Sequence, residues 1–256
     1  MGKQQGKVAS EMSPQTSMVT LPRTPLSFHM NRIGWSLALL IWLGVSLHAA
    51  DETAKRLQTA STTLTEIMGV GDKSIPTDLF QKSRCAVIIP GMKKGGFIFS
   101  GKYGRGFASC RKADGGWSDP AGMKVEGGGF GLQVGGEETD IVMLVMSEKG
   151  MKGLLTSKFT LGGEGSVAAG PVGRDATAQT DATLHADILS WSRARGVFGG
   201  LSLQGGTLRT DDDANKALYG KQVANADILT GKGGALKEAT DLPAKLAQYG
   251  GNAKAK

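Results

Sequence analysis

The density of glycine in the middle of the chain is the feature that most limits its fold. Fifteen glycines lie between Gly91 and Gly136, in segments that are otherwise rich in Val, Ile and Phe. They follow no Gly-x-y period, which excludes a collagen-like rod. Glycine inside strand-forming segments is typical of bulges and of close approach between backbones. The pattern therefore predicts strongly coiled strands and not a linker.

Periodicity separates the remaining elements. Apolar residues recur three and four positions apart over residues 54–68, which predicts an amphipathic helix that stops at Gly69 and Gly71. Shorter helices are predicted over 78–82, 148–155, 213–219 and 243–248. Strands are predicted over 85–89, 97–100, 123–134, 141–146, 166–169, 184–191 and 197–203.

Two of these strands, 123–134 and 141–146, are predicted to form a hairpin across Gly135-Gly136. The segment 85–89 is predicted to end at Pro90-Gly91. We therefore expect an α+β fold with an antiparallel, strongly coiled, glycine-rich sheet, barrel- or sandwich-like, flanked by N- and C-terminal helices.

The N-terminal region predicts export. Residues 33–47 form an apolar run that follows Arg32 and precedes acidic Asp51. A membrane span needs about 20 apolar residues, so residues 30–50 are typical of a secretory signal, with an uncleaved anchor as the alternative. Residues 1–29 are then a disordered leader or a misassigned start, residues 51–250 a single domain, and residues 251–256 a flexible tail. We expect a periplasmic or extracellular protein.

Positive charge is concentrated in one segment. The chain carries a net charge of +7, and residues 84–112 alone carry +7 with no acidic residue. If the turns around Lys93-Lys94 and around Tyr103 meet at one end of the sheet, they form an anion-binding surface. The alternative is a solubilising rim of loops. The candidate ligand-binding residues are Lys93, Lys94, Lys102, Tyr103, Arg105, Arg111 and Lys112.

The two cysteines, Cys85 and Cys110, leave two interpretations open. In an oxidising compartment they can form a disulfide, which in the loop-entropy description contributes about 3 kcal/mol. The other interpretation is a pair of buried thiols on adjacent strands.

Histidine is too scarce for most catalytic sites. After removal of the signal only His185 remains, and a solvent-facing strand histidine is the expected role for it. Three partial motifs also fail. Tyr103 replaces the Ser or Thr of a P-loop, Val134 replaces the third glycine of a dinucleotide fingerprint, and Lys216 replaces the glycine of a calcium loop. Helix capping by residues 211–213 is the simpler expectation, and we expect no enzyme, metal or cofactor.

Several segments together resemble the SYLF domain family of lipid-binding proteins. The similarity covers about Thr53 to Gln248. It is carried by CAVIIP at 85–90, KGGFIF at 94–99, GKYGRG at 101–106, SCR at 109–111, GWSDP at 116–120, GGGFGLQ at 127–133, SKFTL at 157–161, AAGPVGR at 168–174, SRARGVF at 192–198 and NKALY at 215–219.

The resemblance implies lipid binding without catalysis. Eukaryotic members bind phosphoinositides and other acidic phospholipids through a basic surface and an N-terminal amphipathic helix, and fungal relatives also bind and bundle actin. Export would separate this chain from actin filaments. Nucleic acid is not expected either, because the aromatic residues near the lysines alternate as core residues do.

The predicted helix has two possible roles. Leu57, Leu64, Ile67 and Met68 either enter a membrane or pack on the domain's own sheet. The leading hypothesis is that the basic turns select anionic headgroups and that this helix inserts or undocks. The competing hypothesis is a periplasmic structural or protein-interaction module without a lipid ligand, whose protein partner is unknown.

Overall fold

The computed structural model describes residues 32–71, 74–96, 99–130, 133–173, 185–194, 197–237 and 239–251. The chain separates into two compact units, Met1–Trp42 and Leu43–Lys256. The predicted leader, residues 1–29, lies outside the described residues, as do residues 252–256 of the predicted tail. The signal and its cleavage stay predictions.

Six helices are described. They are α1 (Arg32–Met68), α2 (Thr77–Lys82), α3 (Glu148–Leu154), α4 (Asp212–Tyr219), α5 (Asn225–Leu229) and α6 (Leu242–Gly250). The predicted helices over 54–68, 78–82, 148–155, 213–219 and 243–248 are confirmed, and α5 was not predicted. Among the described residues, no helix has an apolar stretch long enough to span a bilayer.

Within the described residues, nine strands form one sheet. They are β1 (Cys85–Gly96), β2 (Phe99–Cys110), β3 (Ala121–Phe130), β4 (Gln133–Val145), β5 (Lys158–Thr160), β6 (Val167–Ala169), β7 (Ile188–Ala194), β8 (Val197–Gly200) and β9 (Thr207–Thr210). The order is β5-β9-β3-β2-β1-β4-β7-β6, and β8 pairs with β7. The pairings are antiparallel except for β6 with β7. The predicted α+β class with a mostly antiparallel sheet is confirmed.

The predicted hairpin across Gly135-Gly136 is wrong. Both glycines lie inside β4, which pairs with β1 and β7, whereas β3 pairs with β2 and β9. The β1–β2 hairpin therefore lies between the two strands that we expected to be neighbours. Local glycine pairs do not distinguish a turn from a strand that passes close to another backbone.

The predicted end of the first strand at Pro90-Gly91 is also wrong. The strand continues to Gly96 through an irregularity between Ile88 and Lys93. Gly91 adopts a φ of 57°, and its amide donates a hydrogen bond to Asp140 Oδ1 at 2.9 Å. The Asp140 side chain thus takes the place of a backbone carbonyl as the acceptor for the Gly91 amide at the bulge. Pairing of β1 with β4 resumes at Met92.

Other strands begin or end at residues that differ from the predicted ones. The predicted strand over 184–191 begins only at Ile188, so the exposed His185 lies in a turn and not in a strand. The predicted strand over 197–203 ends at Gly200, and residues 97–98 of another lie outside the described residues. The strands β5 and β9 were not predicted.

The core explains the role of α1. In β1 and β4, consecutive apolar residues are buried on both faces of the sheet. Leu57, Leu64 and Ile67 of α1 belong to the same core and are 2 %, 0 % and 0 % exposed, and Met68 packs against it half-buried. Of the two roles considered for this helix, the structure shows packing within the domain.

The cysteines face each other at the end of the β1–β2 ladder. Cys85 and Cys110 are directly opposite in register, both are buried, and the structure joins them by a disulfide with an S–S distance of 2.05 Å. Of the two interpretations left open, the structure has the disulfide, and the interpretation of two free buried thiols is wrong, although the cysteines do lie on adjacent strands. The bond fixes the hairpin at the end away from its turn.

The close approach of β2 to β1 gives a testable prediction. A Cβ at Gly106 would lie 2.0 Å from the carbonyl oxygen of Ile88, whereas a Cβ at Gly101 would have no neighbour within 4 Å. Overpacking that only a backbone shift can relieve costs about 1–3 kcal/mol or more. We expect Gly106→Ala to lower the free energy of unfolding by this amount in urea titrations. Gly101→Ala is the matched control and should stay within about 0.5 kcal/mol of wild type.

Candidate functional site

The β1–β2 hairpin brings four of the seven candidate residues together. Lys93 lies opposite Tyr103, and Lys94 lies opposite Lys102. Residues directly opposite in an antiparallel pair share a face, so each face of the hairpin carries one of these pairs. We call Lys93, Lys94, Lys102 and Tyr103, which lie on the two faces of the hairpin next to its turn, the hairpin basic surface.

These four side chains differ in exposure. Lys93 is exposed, Lys94 and Lys102 are half-buried, and the Tyr103 side chain is 48 % exposed despite its large ring. An exposed tyrosine beside lysines places an apolar body with a polar tip next to positive charge. Such rings are favoured at the boundary between water and lipid.

An acidic residue borders this surface on the other side of β1. Lys93 lies opposite Glu138 on β4. The sequence segment 84–112 contains no acid, but the fold places Glu138 of another segment beside Lys93. The local field is therefore weaker than the segment's charge alone implies.

Arg105 does not belong to the hairpin basic surface, contrary to our expectation. Its guanidinium donates two hydrogen bonds to Asp211, at 2.5 Å from Nε and 2.7 Å from Nη2. The bond to Asp211 raises the pKa of Arg105. A cation held in this way against a buried carboxylate is unavailable to an external anion.

Asp211 has two further partners besides Arg105. It is fully buried, accepts a hydrogen bond from the Ala214 amide at the start of α4, and lies 3.4 Å from Nζ of Lys124 on β3. Burial alone would raise the pKa of Asp211, but the hydrogen bonds from Arg105 and Ala214 hold it below its ordinary value. The predicted helix-capping role in this acidic run is confirmed, since Asp211 is the N-cap of α4.

Arg111 is likewise a structural residue and not a ligand-binding one. It is only 6 % exposed and donates to the carbonyl oxygens of Ser83 at 2.9 Å, Gly250 at 2.6 Å and Gly251 at 2.8 Å. Its guanidinium lies 4.6 Å from the centre of the Trp117 ring. Burial lowers the pKa of Arg111. The contacts join β2 to the end of α6.

Lys112 is separate from the hairpin basic surface as well. It follows the other end of β2, and its Nζ lies 2.9 Å from Asp114 Oδ2 in the turn that precedes Trp117. Of the seven candidate residues, Lys93, Lys94, Lys102 and Tyr103 therefore come together, and Arg105, Arg111 and Lys112 lie apart from them. The length of β2, twelve residues, separates the two groups of cations.

Sequence reasoning missed Arg56 on α1. We placed it among the residues between the apolar positions, but it is half-buried and follows the same helical spacing as buried Ala60, Thr63 and Ile67. Arg56 precedes these three residues by four, seven and eleven positions, and this helical spacing is the sequence pattern that places it on the buried face. The acidic partners of two other arginines had no such signal, because they come from distant segments: Asp211 for Arg105, and Glu66 and Asp140 for Arg193.

No group of His, Cys, Asp and Glu within the described parts of the chain is arranged to hold a metal ion. The Gly96–Tyr103 stretch, which resembles a P-loop only in spacing, runs along β1 and β2 at the residues described. Gly129 likewise belongs to β3. These placements give no phosphate-binding turn between a strand and a helix.

Comparison with known proteins identifies relatives. Residues 126–249 match the Ysc84 family, described as "Las17-binding protein actin regulator". The chain is 33 % identical over 192 residues to LAS seventeen-binding protein 3 of Saccharomyces cerevisiae, covering 73 % of this chain and 41 % of that relative. It is 34 % identical over 190 residues to an SH3 domain-containing protein of Schizosaccharomyces pombe, covering 73 % and 44 % respectively.

The chain is also similar to a human protein. The chain is 30 % identical over 172 residues to SH3 domain-containing YSC84-like protein 1 of Homo sapiens, covering 67 % of this chain and 50 % of that relative. The chain thus spans half or less of the length of these relatives. The family match at 126–249 begins after the hairpin basic surface.

The environment of Asp211 predicts a pH-dependent stability. Its pKa is lowered in the folded state, so its contribution is present above the unfolded value of about 3.9 and is lost as pH falls through the folded value. Asp211→Asn breaks a buried pair and should cost about 3–5 kcal/mol at neutral pH. In urea titrations between neutral and acidic pH, the difference from wild type should shrink below about pH 4.

The matched control is Asp213→Asn, an exposed carboxylate in the first turn of α4. It should cost no more than about 1 kcal/mol. Equal effects of the two substitutions would contradict the assignment of Asp211 as the buried partner of Arg105.

The contacts of Arg111 predict that lysine cannot replace it. A single ammonium cannot reach the carbonyls of Ser83, Gly250 and Gly251 together, and each charge-assisted hydrogen bond contributes about 1.5–3 kcal/mol. We expect Arg111→Lys to lower the free energy of unfolding by about 3 kcal/mol or more. Arg209→Lys, in an exposed pair with Glu126, should change it by less than about 1 kcal/mol. Similar values in denaturant titrations would show that Arg111 does not hold α6.

Proposed function

Because the chain belongs to the Ysc84 (SYLF) family, we propose that it is a non-catalytic module that binds anionic phospholipid through the hairpin basic surface. The observation that carries the proposal is the cross-strand placement of Lys93, Lys94, Lys102 and exposed Tyr103 at the end of one hairpin. The family description and the name of one relative describe binding and not catalysis. Peripheral attachment to a membrane surface follows from this arrangement.

The buried face of α1 limits the strength of attachment. Leu57, Leu64 and Ile67 are already out of water in the core, so moving them into lipid would gain no further burial and would expose the sheet beneath. Helix insertion is therefore not a source of affinity in this fold. Each lysine near an anionic surface contributes about 1 kcal/mol, which gives roughly 3 kcal/mol for three lysines.

This magnitude implies weak, salt-sensitive binding to surfaces of high charge density. Exposed charges are screened beyond about 10 Å at 0.1 M salt, so binding should weaken between low and moderate ionic strength. Specificity for one inositol phosphate would need further fixed donors. We therefore propose acidic headgroups as a class, with phosphoinositides among them.

The location proposed for this activity is outside the cytoplasm. The apolar run at 33–47 supports a cleaved signal, with cleavage after Ala49 or Ala50. Both residues lie within α1, so cleavage would leave the part of the helix that packs in the core. N-terminal sequencing of the protein from the exported fraction tests this, and recovery of an intact N-terminus there would contradict it.

A second candidate function has its own support. The family description and one relative name Las17 binding, so a protein partner connected with actin regulation is the alternative ligand. A protein-interaction module of this kind would bind its partner without lipid. Export would exclude such a cytoplasmic partner, so the location of the protein separates the two candidates.

Cosedimentation with vesicles tests the lipid proposal. We expect wild type to pellet with anionic vesicles at low salt and not with zwitterionic ones. The triple variant Lys93→Ala/Lys94→Ala/Lys102→Ala should bind about a hundredfold more weakly, which corresponds to the roughly 3 kcal/mol estimated above. Arg105 is left unchanged, because its loss would unpair Asp211.

The matched control is Lys216→Ala/Lys221→Ala/Lys232→Ala, which removes three exposed lysines elsewhere and the same total charge. If the position of the lysines and not the net charge determines the affinity, this variant should bind anionic vesicles within about threefold of wild type. Equal loss in both triple variants, or no binding of wild type to anionic vesicles, would reject the hairpin basic surface as the lipid site.

A further inference from the structure

Lys94 and Lys102 are two half-buried lysines without a partner. They lie directly opposite each other on β1 and β2. No hydrogen bond or ion pair joins either ammonium to another residue that the structure describes. Like charges directly opposite in an antiparallel pair are destabilising, so the stability of the hairpin does not account for this pair.

The other half-buried lysines in the described ranges show how such a charge is usually held. Burial removes part of the water around an ammonium, and a nearby carboxylate compensates for this loss. Each of the other three has a carboxylate oxygen close to its Nζ: Lys112 has Asp114 at 2.9 Å, Lys124 has Asp211 at 3.4 Å, and Lys245 has Asp241 at 3.0 Å. Lys94 and Lys102 have no such partner, so both remain available to an anion from outside.

The row of residues that contains Lys94 and Lys102 has a net positive charge. In register with the pair are Glu137 on β4 and Gly127 on β3, so two lysines and one glutamate give the row a formal charge of +1. Gly127 has no side chain to cover Lys102 from the β3 side. The same face carries buried Met92 two residues before Lys94. Charges at the border of an apolar core interact more strongly than charges surrounded by water.

The other face of the hairpin is not positive. Lys93 and Tyr103 lie there in register with Glu138 on β4 and Glu126 on β3, so one lysine and two glutamates give this row a formal charge of −1. An anion is therefore favoured on the face of Lys94 and Lys102 and opposed on the face of Tyr103. The two faces of the hairpin basic surface differ in what they can bind.

We propose that Lys94 and Lys102 together bind one phosphomonoester group, either of a lipid headgroup or of a soluble phosphate. The Cβ atoms of directly opposite residues are about 5 Å apart, so two long, flexible lysine side chains can donate to the same phosphate. A phosphomonoester carries a charge of about −1.5 to −2 at pH 7 and three acceptor oxygens. A phosphodiester carries a single negative charge, so it gains less from the second lysine. The inference rests on the proposed function, since it names the headgroup chemistry that the hairpin basic surface selects.

Cosedimentation of the full chain with two kinds of vesicle tests the proposal. Phosphatidic acid presents a phosphomonoester and phosphatidylglycerol a phosphodiester, each diluted in phosphatidylcholine to the same surface charge. We expect wild type to bind phosphatidic acid about fivefold more tightly, which is the contribution of one lysine near an anionic surface. Lys94→Ala and Lys102→Ala should each lower the affinity for phosphatidic acid to that for phosphatidylglycerol.

The matched control is Lys93→Ala, which removes the same charge from the same hairpin but from its other face. It should weaken binding to both lipids equally and keep their fivefold ratio. Loss of the ratio in this variant would show that net charge and not the lysine pair decides, and would overturn the proposal. Equal binding of wild type to both lipids would overturn phosphomonoester selection by a headgroup and leave the proposed function intact. Absence of binding to either lipid would instead reject the proposed function.

Soluble probes distinguish the two sources of the phosphate. We expect glycerol phosphate to shift the backbone amide resonances of Lys94 and Lys102 in a saturable way, and Lys102→Ala to abolish this response. Dimethyl phosphate, a phosphodiester, is the control and should shift them at least fivefold less at equal concentration. A response without a vesicle preference supports a soluble phosphomonoester, and a vesicle preference without a response supports a lipid headgroup. Equal responses to both probes, or neither a response nor a vesicle preference, would overturn the site.

Discussion

The buried carboxylate of Asp211 connects more of this domain than any sequence motif indicated. It caps α4, accepts two hydrogen bonds from Arg105 on β2 and lies beside Lys124 on β3. Two consecutive strands and a helix that follows them much later in the chain thus meet at one side chain. Because a buried charge is tolerated only with such partners, the position of α4 against the sheet and the inward direction of Arg105 are determined together.

Arg56 and Arg105 show two different uses of a partly buried guanidinium. Arg105 is bonded to a carboxylate and contributes to the fold, whereas the Nη1 atom of Arg56 is buried without a hydrogen-bond partner among the described residues. Burial lowers the pKa of Arg56 and the charge of Arg105 lowers it further, whereas Asp211 and Glu52 act in the opposite direction.

The sequence predicted the class of fold and most helices, because amphipathic periodicity and capping residues are local signals. It did not predict the neighbours in the sheet. Gly135-Gly136 have the composition of a turn but lie within β4, and only the nesting of the β1–β2 hairpin between β3 and β4 explains why. Only part of the candidate cluster comes together, for a related reason. Lys94 and Lys102 face each other through local hairpin register, but the Asp211 partner of Arg105 and the Gly251 partner of Arg111 lie over a hundred positions away.

The contacts of Arg111 give β2 a mechanical role. One end of this strand carries Lys102 and Tyr103, and the other end holds the last carbonyls of α6 through the Arg111 guanidinium. Next to Arg111, Cys110 is bonded to Cys85 and so to the adjacent strand. Tension applied at the C-terminal helix would therefore pass directly into the central strands and reach the hairpin along a single extended backbone, without first unravelling α6.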